Sequence, residues 1–259
     1  MKFSNANAKI EALEAVAELA PYLADDRTVY SFDLLSGHSC PFAHDCRSKA
    51  VVGDDGRRRI EDGPHTKFRC FSASQEVQYT NVWNVRAGNF ENLRGLTTEQ
   101  IVERLIAAIP DDLGICRIHV AGDFFSEAYF LAWVEVARLN PDRLFYAYTK
   151  SLPYWVNNRA AVEALPNLVP TASRGGRCDS LIEEHGLRSV RVCFNESEAG
   201  GLPIDHDDSH AACPSLRHDD FALLLHGTQP KGTDAAEALK ALRKDGVKHS
   251  YSRKAKAVA

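Results

Sequence analysis

The sequence predicts an α/β fold made of six successive β/α units. Two observations carry that prediction. Short apolar runs recur at 28–35, 115–121, 144–148, 168–172, 190–194 and 221–225. Helical periodicity fills most of the intervals between them. Strict alternation of the two implies a parallel sheet with right-handed crossovers, as a doubly wound open sheet or a partial barrel. The runs are apolar on both faces, as a sheet covered by helices requires.

The elements follow in order. The run at 28–35 ends at Ser36-Gly37 and is followed by an irregular stretch, about 41–69, rich in Gly, Asp and Arg. Such a length without periodicity marks a functional or ligand-held loop. Ser72, with Gln75 three residues on, reads as a capping box opening a helix. Thr97 and Gln100 repeat that signature ahead of IVERLIAAI, where Ile101, Leu105, Ala108 and Ile109 share one helical face. The run at 115–121 ends at Gly122-Asp123, and Ser126 caps a helix to about Leu139. Lys150 ends the third run, before a helix over about 153–165. Ser173 and Arg174 end the fourth, before a short helix over 179–185. Asn195 ends the fifth, which passes into a polar loop. His226 ends the sixth, and Thr233 opens a last helix to about Lys244. Carboxyl ends of parallel strands are where such folds build sites, so Asp123, Lys150, Arg174 and Asn195 are expected to line one pocket.

The chain of 259 residues is 44% hydrophobic and 25% charged, enough to bury the core of a single α/β domain. The formal net charge of −4 excludes a global pull toward nucleic acid. Two local basic runs remain, Arg57–Arg59 and a tail holding Lys244, Lys248, Arg253, Lys254 and Lys256. They could meet a host protein or nucleic acid. The beginning carries Glu11, Glu14 and Glu18 and no apolar leader, and no run reaches the roughly 18 apolar residues of a membrane span. A cytoplasmic location is expected, where cysteines stay reduced.

The seven cysteines then divide. Cys116 and Cys193 lie inside apolar runs and read as core. Cys178 reads as a small turn residue. Cys40, Cys46, Cys70 and Cys213 lie outside every apolar period, and Cys40 and Cys213 precede proline, as cluster-ligating cysteines often do. Four thiolates suit zinc or an iron–sulfur cluster. The wide spacing of Cys40 and Cys46 lacks a close zinc pair and favours a 4Fe-4S cluster. His38 and His44 keep a mixed zinc site as the alternative.

The segments SFDLLSGHSCPFAHDC, CFSASQE, VRAGNFENL, RIHVAGDFFSEAYFLAW and LFYAYTKS resemble the bacteriophage "gene product eighty-eight" domain family over roughly 28–230. That resemblance implies a phage or prophage origin and the host cytoplasm. The order of elements is also similar to the radical S-adenosylmethionine enzymes, a six-unit partial (β/α) barrel whose cluster cysteines follow the first strand. It implies that Gly122-Asp123 would meet the methionine end of the cosubstrate, with Lys150, Arg174 and Asn195 around the same cavity. The chain departs from that pattern in having two cysteines in the first loop rather than three.

The expectation is a single domain over 1–259. It comprises a barrel core at 28–230, a metal-binding loop at 36–70, and a terminal helix with a basic tail at 231–259. Its cluster is expected to be held by Cys40, Cys46, Cys70 and Cys213, with a structural, redox-sensing or electron-transfer role and no cleavage of S-adenosylmethionine. A radical enzyme with three cysteine ligands and an open iron is the alternative. A zinc-stabilised nucleic-acid-binding module is another.

Overall fold

The computed structural model describes residues 1–247. Lys248, Arg253, Lys254 and Lys256 of the expected basic tail lie outside the described residues. Among the described residues nine strands form: β1 (Ser4–Asn5), β2 (Thr28–Phe32), β3 (Ser48–Val52), β4 (Arg58–Asp62), β5 (Leu113–Ile118), β6 (Leu144–Thr149), β7 (Leu168–Ser173), β8 (Ser189–Cys193) and β9 (Phe221–Leu224). The main helices are α1 (Phe71–Gln78), α2 (Thr80–Leu93), α3 (Thr98–Ile106), α4 (Glu127–Leu139), α5 (Leu152–Asn157), α6 (Arg159–Glu163), α7 (Ser180–His185), α8 (Ser209–Ala212) and α9 (Asp234–Lys244).

Seven strands make one sheet in the order β1-β2-β5-β6-β7-β8-β9, curled into a half-barrel. From β2 to β9 every pairing is parallel, and β1 adds one antiparallel edge. Neighbours in space follow sequence order without reversal, which is barrel winding rather than a doubly wound sheet.

Side-chain alternation separates two layers. Cys116 and Ile118 of β5 and Phe145 and Ala147 of β6 face outward into a layer with Leu105, Tyr129 and Trp133 from α3 and α4. Ile115, Leu144, Tyr146, Val169 and Phe221 face the concave side. Two 3-10 helices, Ile10–Ala15 and Ala17–Tyr22, press Ile10, Leu13 and Leu19 against them and close the amino end of the half-barrel. Gly114 permits that closure, because a Cβ there would meet the Tyr22 carbonyl oxygen at 2.2 Å.

Several local expectations hold. Thr97 and Gln100 form the capping box of α3. Ser126 and Thr233 cap α4 and α9. Cys116 and Cys193 are buried in strands. Two others are corrected. Ser72 does not cap α1; Cys70 is the N-cap residue, and the Ser72 hydroxyl donates to the Val120 carbonyl instead. The stretch 41–69 is not irregular throughout, since β3 and β4 pair as an antiparallel hairpin closed at Gly53–Arg57. Its turn is Asp-Asp-Gly, with Gly56 at φ +73°. Most of the hairpin's side chains meet solvent, so it carries no apolar alternation to announce it.

Candidate functional site

A cavity of about 450 Å³ opens at the carboxyl ends of the parallel strands. Cys40, Cys46 and Cys70 all line it, the first two on one anchored loop and the third at the start of a helix. The turn after β2 is tied down by Glu76 of α1, a fully buried carboxylate. It accepts from the Ser36 amide at 3.0 Å, the Ser36 hydroxyl at 2.8 Å and Arg86 Nη1 at 3.1 Å. The Gly37 amide donates to Cys40 Sγ at 3.3 Å. The Cys40–Cys46 loop is bound to the turn after β7. Amides of His44 and Asp45 donate to the Gly175 carbonyl, and the Arg177 amide donates to that of Phe42. The Asp45 carboxylate clamps the loop from outside through His44 at 2.7 Å and Lys67 at 2.9 Å. Cys70 stands at the amino end of α1, its amide bonded to the Ser48 hydroxyl at 3.4 Å.

Burial raises the pKa of all three thiols, that of Cys70 to about 11. Proximity adds to this. Asp123, Cys70 and Cys46 push Cys40 up further, and Cys46 does the same to Cys70. The three are therefore near enough to feel one another's charge. Among the described residues, however, no three His, Cys, Asp or Glu side chains converge tightly enough for one metal ion.

Cys213 is not brought to this cavity. It is buried in the concave apolar cluster with Ile10, Leu13 and Leu19, and Glu18 is the charge that acts on it most strongly. That is the closed amino end, opposite the other three. Of the four cysteines expected together, Cys40, Cys46 and Cys70 line one cavity and Cys213 does not. Topology gives the reason: the chain leaving the carboxyl end of β8 must return to the amino end of β9, and Cys213 lies late in that return.

The polar strand ends divide likewise. Gly122, Asp123, Lys150 and Ser173 line the cavity. Gly122 has φ +92°, and a Cβ on it would meet Ser39 Oγ at 2.6 Å. Asp123 is largely occupied: it accepts from the Phe124 amide (2.8 Å), the Thr149 hydroxyl (2.6 Å) and the Lys150 amide (2.8 Å). Burial still raises its pKa. Lys150 Nζ spends its donors on Ser173 and on the Ser173 and Arg174 carbonyls at 2.6–3.0 Å. These two residues stitch β5, β6 and β7 together at the rim. Arg174 turns away to Glu183 and Ser189, and Asn195 caps the 3-10 helix Glu196–Ala199. Neither lines the cavity, contrary to the expectation of a four-residue ring.

Sequence reading missed the floor. Arg117, on the concave face of β5, donates to Asp208 at 2.5 Å, and Lys9 meets the other oxygen of Asp208 at 2.6 Å. The Tyr146 and Tyr148 hydroxyls also donate to Asp208, at 3.0 and 3.1 Å. Burial would raise the Asp208 pKa, but Arg117 and Lys9 hold it well below the usual carboxylate range. An arginine in the middle of an apolar strand was the available signal. The Arg57–Arg59 run is partly engaged within the chain: Arg58 donates to Thr80 and covers the Trp83 ring, and Arg59 pairs with Asp55.

The family model described as Gene product 88 matches residues 1–245. The chain belongs to the Gene product 88 family. It is similar to the Gene 88 protein of Mycobacterium phage L5, at 34% identity over 90 residues, which is 31% of this chain and 38% of that protein. The similarity thus spans well under half of that relative's length. No solved structure matches the chain. The match agrees with the bacteriophage resemblance of the sequence segments. Among the described residues, no helix is long and apolar enough to cross a membrane.

Proposed function

We propose that this Gene product 88 protein holds an iron–sulfur cluster through Cys40, Cys46 and Cys70, and that the rest of the cavity takes a small molecule. One observation carries the reading: three half-buried cysteines, on two anchored segments, line one cavity at the carboxyl end of a half-barrel. Thiolates are soft ligands suited to such clusters. A single zinc ion, about 2.3 Å from each sulfur, would demand tighter convergence than these side chains have. The remaining volume falls within the roughly 300–1,000 Å³ typical of small-molecule sites.

Three protein thiolates would leave one iron of a 4Fe-4S cluster for an exogenous ligand. That favours the radical S-adenosylmethionine type of enzyme over a cluster sealed by four cysteines. When bound, such a cluster supplies one electron to S-adenosylmethionine. The chain's own part is to fix the rim. Asp123 and Lys150 hold the strand ends in register, Gly122 gives close access to the backbone, and Glu76 immobilises the turn that bears Cys40.

The test is anaerobic purification with iron and sulfide analysis. Iron, sulfide and broad absorbance near about 400 nm are expected, from thiolate-ligated iron. Ser replacement of Cys40, Cys46 or Cys70 should remove the iron, and Cys213→Ser should keep it. Reduced, loaded protein should convert S-adenosylmethionine to 5′-deoxyadenosine. A colourless protein with one equivalent of zinc would overturn the cluster. A loaded protein that forms no 5′-deoxyadenosine would overturn the radical reading alone.

A further inference from the structure

The floor of the cavity has chemistry of its own, and its central group is an incompletely used guanidinium. Arg117 is 9% exposed and lines the cavity. Its Nη1 is spent on Asp208, and its Cζ lies 4.8 Å from the centre of the Tyr148 ring. Its Nε is buried with no hydrogen-bond partner among the described residues. A buried donor on a charged group is costly to leave unmade. The Nε–Nη2 edge of a guanidinium is a two-donor fork that suits a carboxylate or phosphate.

Charge on the wall agrees. Its charged side chains are the cations Lys9, Arg69, Arg117 and Lys150 and the carboxylate of Asp123; Lys9 is paired with Asp208 and Arg69 with Asp62. The carboxylates that hold the floor, Asp208 and Asp205, lie behind the wall and are fully buried.

His119 adds a second unmade donor beside Arg117. It is a buried, non-glycine residue held at φ +70°, a conformation that persists only where its surroundings impose it. Its Nε2 meets the Tyr129 hydroxyl at 2.9 Å. The arrangement that uses both groups has Tyr129 donating to Nε2, which leaves the ring proton on Nδ1, itself buried without a partner.

We infer that Arg117 is the binding residue of an oxyanion subsite at the cavity floor, and that the small molecule taken there carries a carboxylate or a phosphate group. The inference deepens the reading above by naming the substrate class of the same cavity. It rests on that reading only for what happens to the molecule once bound.

The experiment is calorimetric titration of the full chain, as purified anaerobically, with inorganic phosphate and with malonate, at ionic strength fixed by chloride. Saturable binding of at least one of the two is expected, and which one separates phosphate from carboxylate substrates. Arg117→Lys keeps a cation beside Asp208 and removes the fork; it should weaken binding at least tenfold with iron content unchanged. Arg117→Met should abolish binding, and Lys9→Met replaces it in the test should it fail to fold. Absence of saturable binding in the unaltered protein would overturn the subsite, as would wild-type affinity in Arg117→Lys. Saturable binding by protein that holds no iron would sustain the subsite while the cluster reading fails.

Discussion

The convex face of the half-barrel is apolar from end to end beneath α3 and α4, whereas the concave face changes character along its length. At the amino end it is closed by Ile10, Leu13, Leu19 and Cys213. Two residues further along β5, Arg117 replaces Ile115 and the packing becomes ionic. The contrast teaches where the fold stores stability and where it keeps chemistry. Burying Trp133 and Phe145 against the sheet gains free energy from area alone. Burying Lys9, Asp208 and Arg117 gains little over an apolar core and is retained where the cavity meets it.

The largest expected effect breaks the concave side. Asp208→Ala leaves two buried cations facing two tyrosines without a carboxylate, and should cost roughly 3–5 kcal/mol, read by urea denaturation. A change under about 1 kcal/mol would mean that water already carries those charges.

Acid should act on the same region through His119. Burial, helped by the Arg117 charge, lowers its pKa to about 3. The folded pKa therefore lies below the unfolded value of about 6.5. Its contribution is fully present above that value and is lost as pH falls from about 6.5 toward 3, because the unfolded chain binds the proton first. His119→Asn, which tolerates a positive φ, should flatten the decline in Tm across that window.

Cys213→Ser sharpens the contrast between the two ends. A hydroxyl in the apolar plug should cost about 1–3 kcal/mol if left unbonded, with bound iron unchanged. Cys46→Ser should do the reverse: it removes iron and leaves the melting of iron-free protein little altered. Smallest is Thr97→Ala on the convex side. It removes a capping box far from the cavity and should cost about 1 kcal/mol by denaturant titration without touching anion binding.

Much of the architecture was legible. All six parallel strands lie where the apolar runs place them, because a strand covered on both faces must be apolar throughout. Three of the four capping signals hold, because a cap is a local bond between residues three apart. Ser72 failed because α1 starts at Phe71 with Cys70 in the N-cap place, which puts Ser72 inside the helix. The β3–β4 hairpin was illegible because so little of it is buried.

The site was legible only in part. Cys40, Cys46 and Cys70 stood out by lying outside every apolar period, a property of sequence. Whether Cys213 joins them depends on which end of the half-barrel its loop reaches. Asp123 and Lys150 are at the rim as strand order requires, yet their donors and acceptors are consumed by each other's strands. Arg174 and Asn195 end strands in the same way but point to Glu183 and to a 3-10 helix.

The sequence by itself determined the six parallel strands and the candidate cysteines, because burial period and capping act over a few neighbouring residues. Tertiary structure alone decided that three cysteines share a cavity and the fourth seals the far end. It also decided that Lys9 reaches Asp208 from the other end of the chain, and that Arg117 keeps one donor unspent. Those outcomes depend on contacts between residues far apart in sequence, which no local pattern encodes.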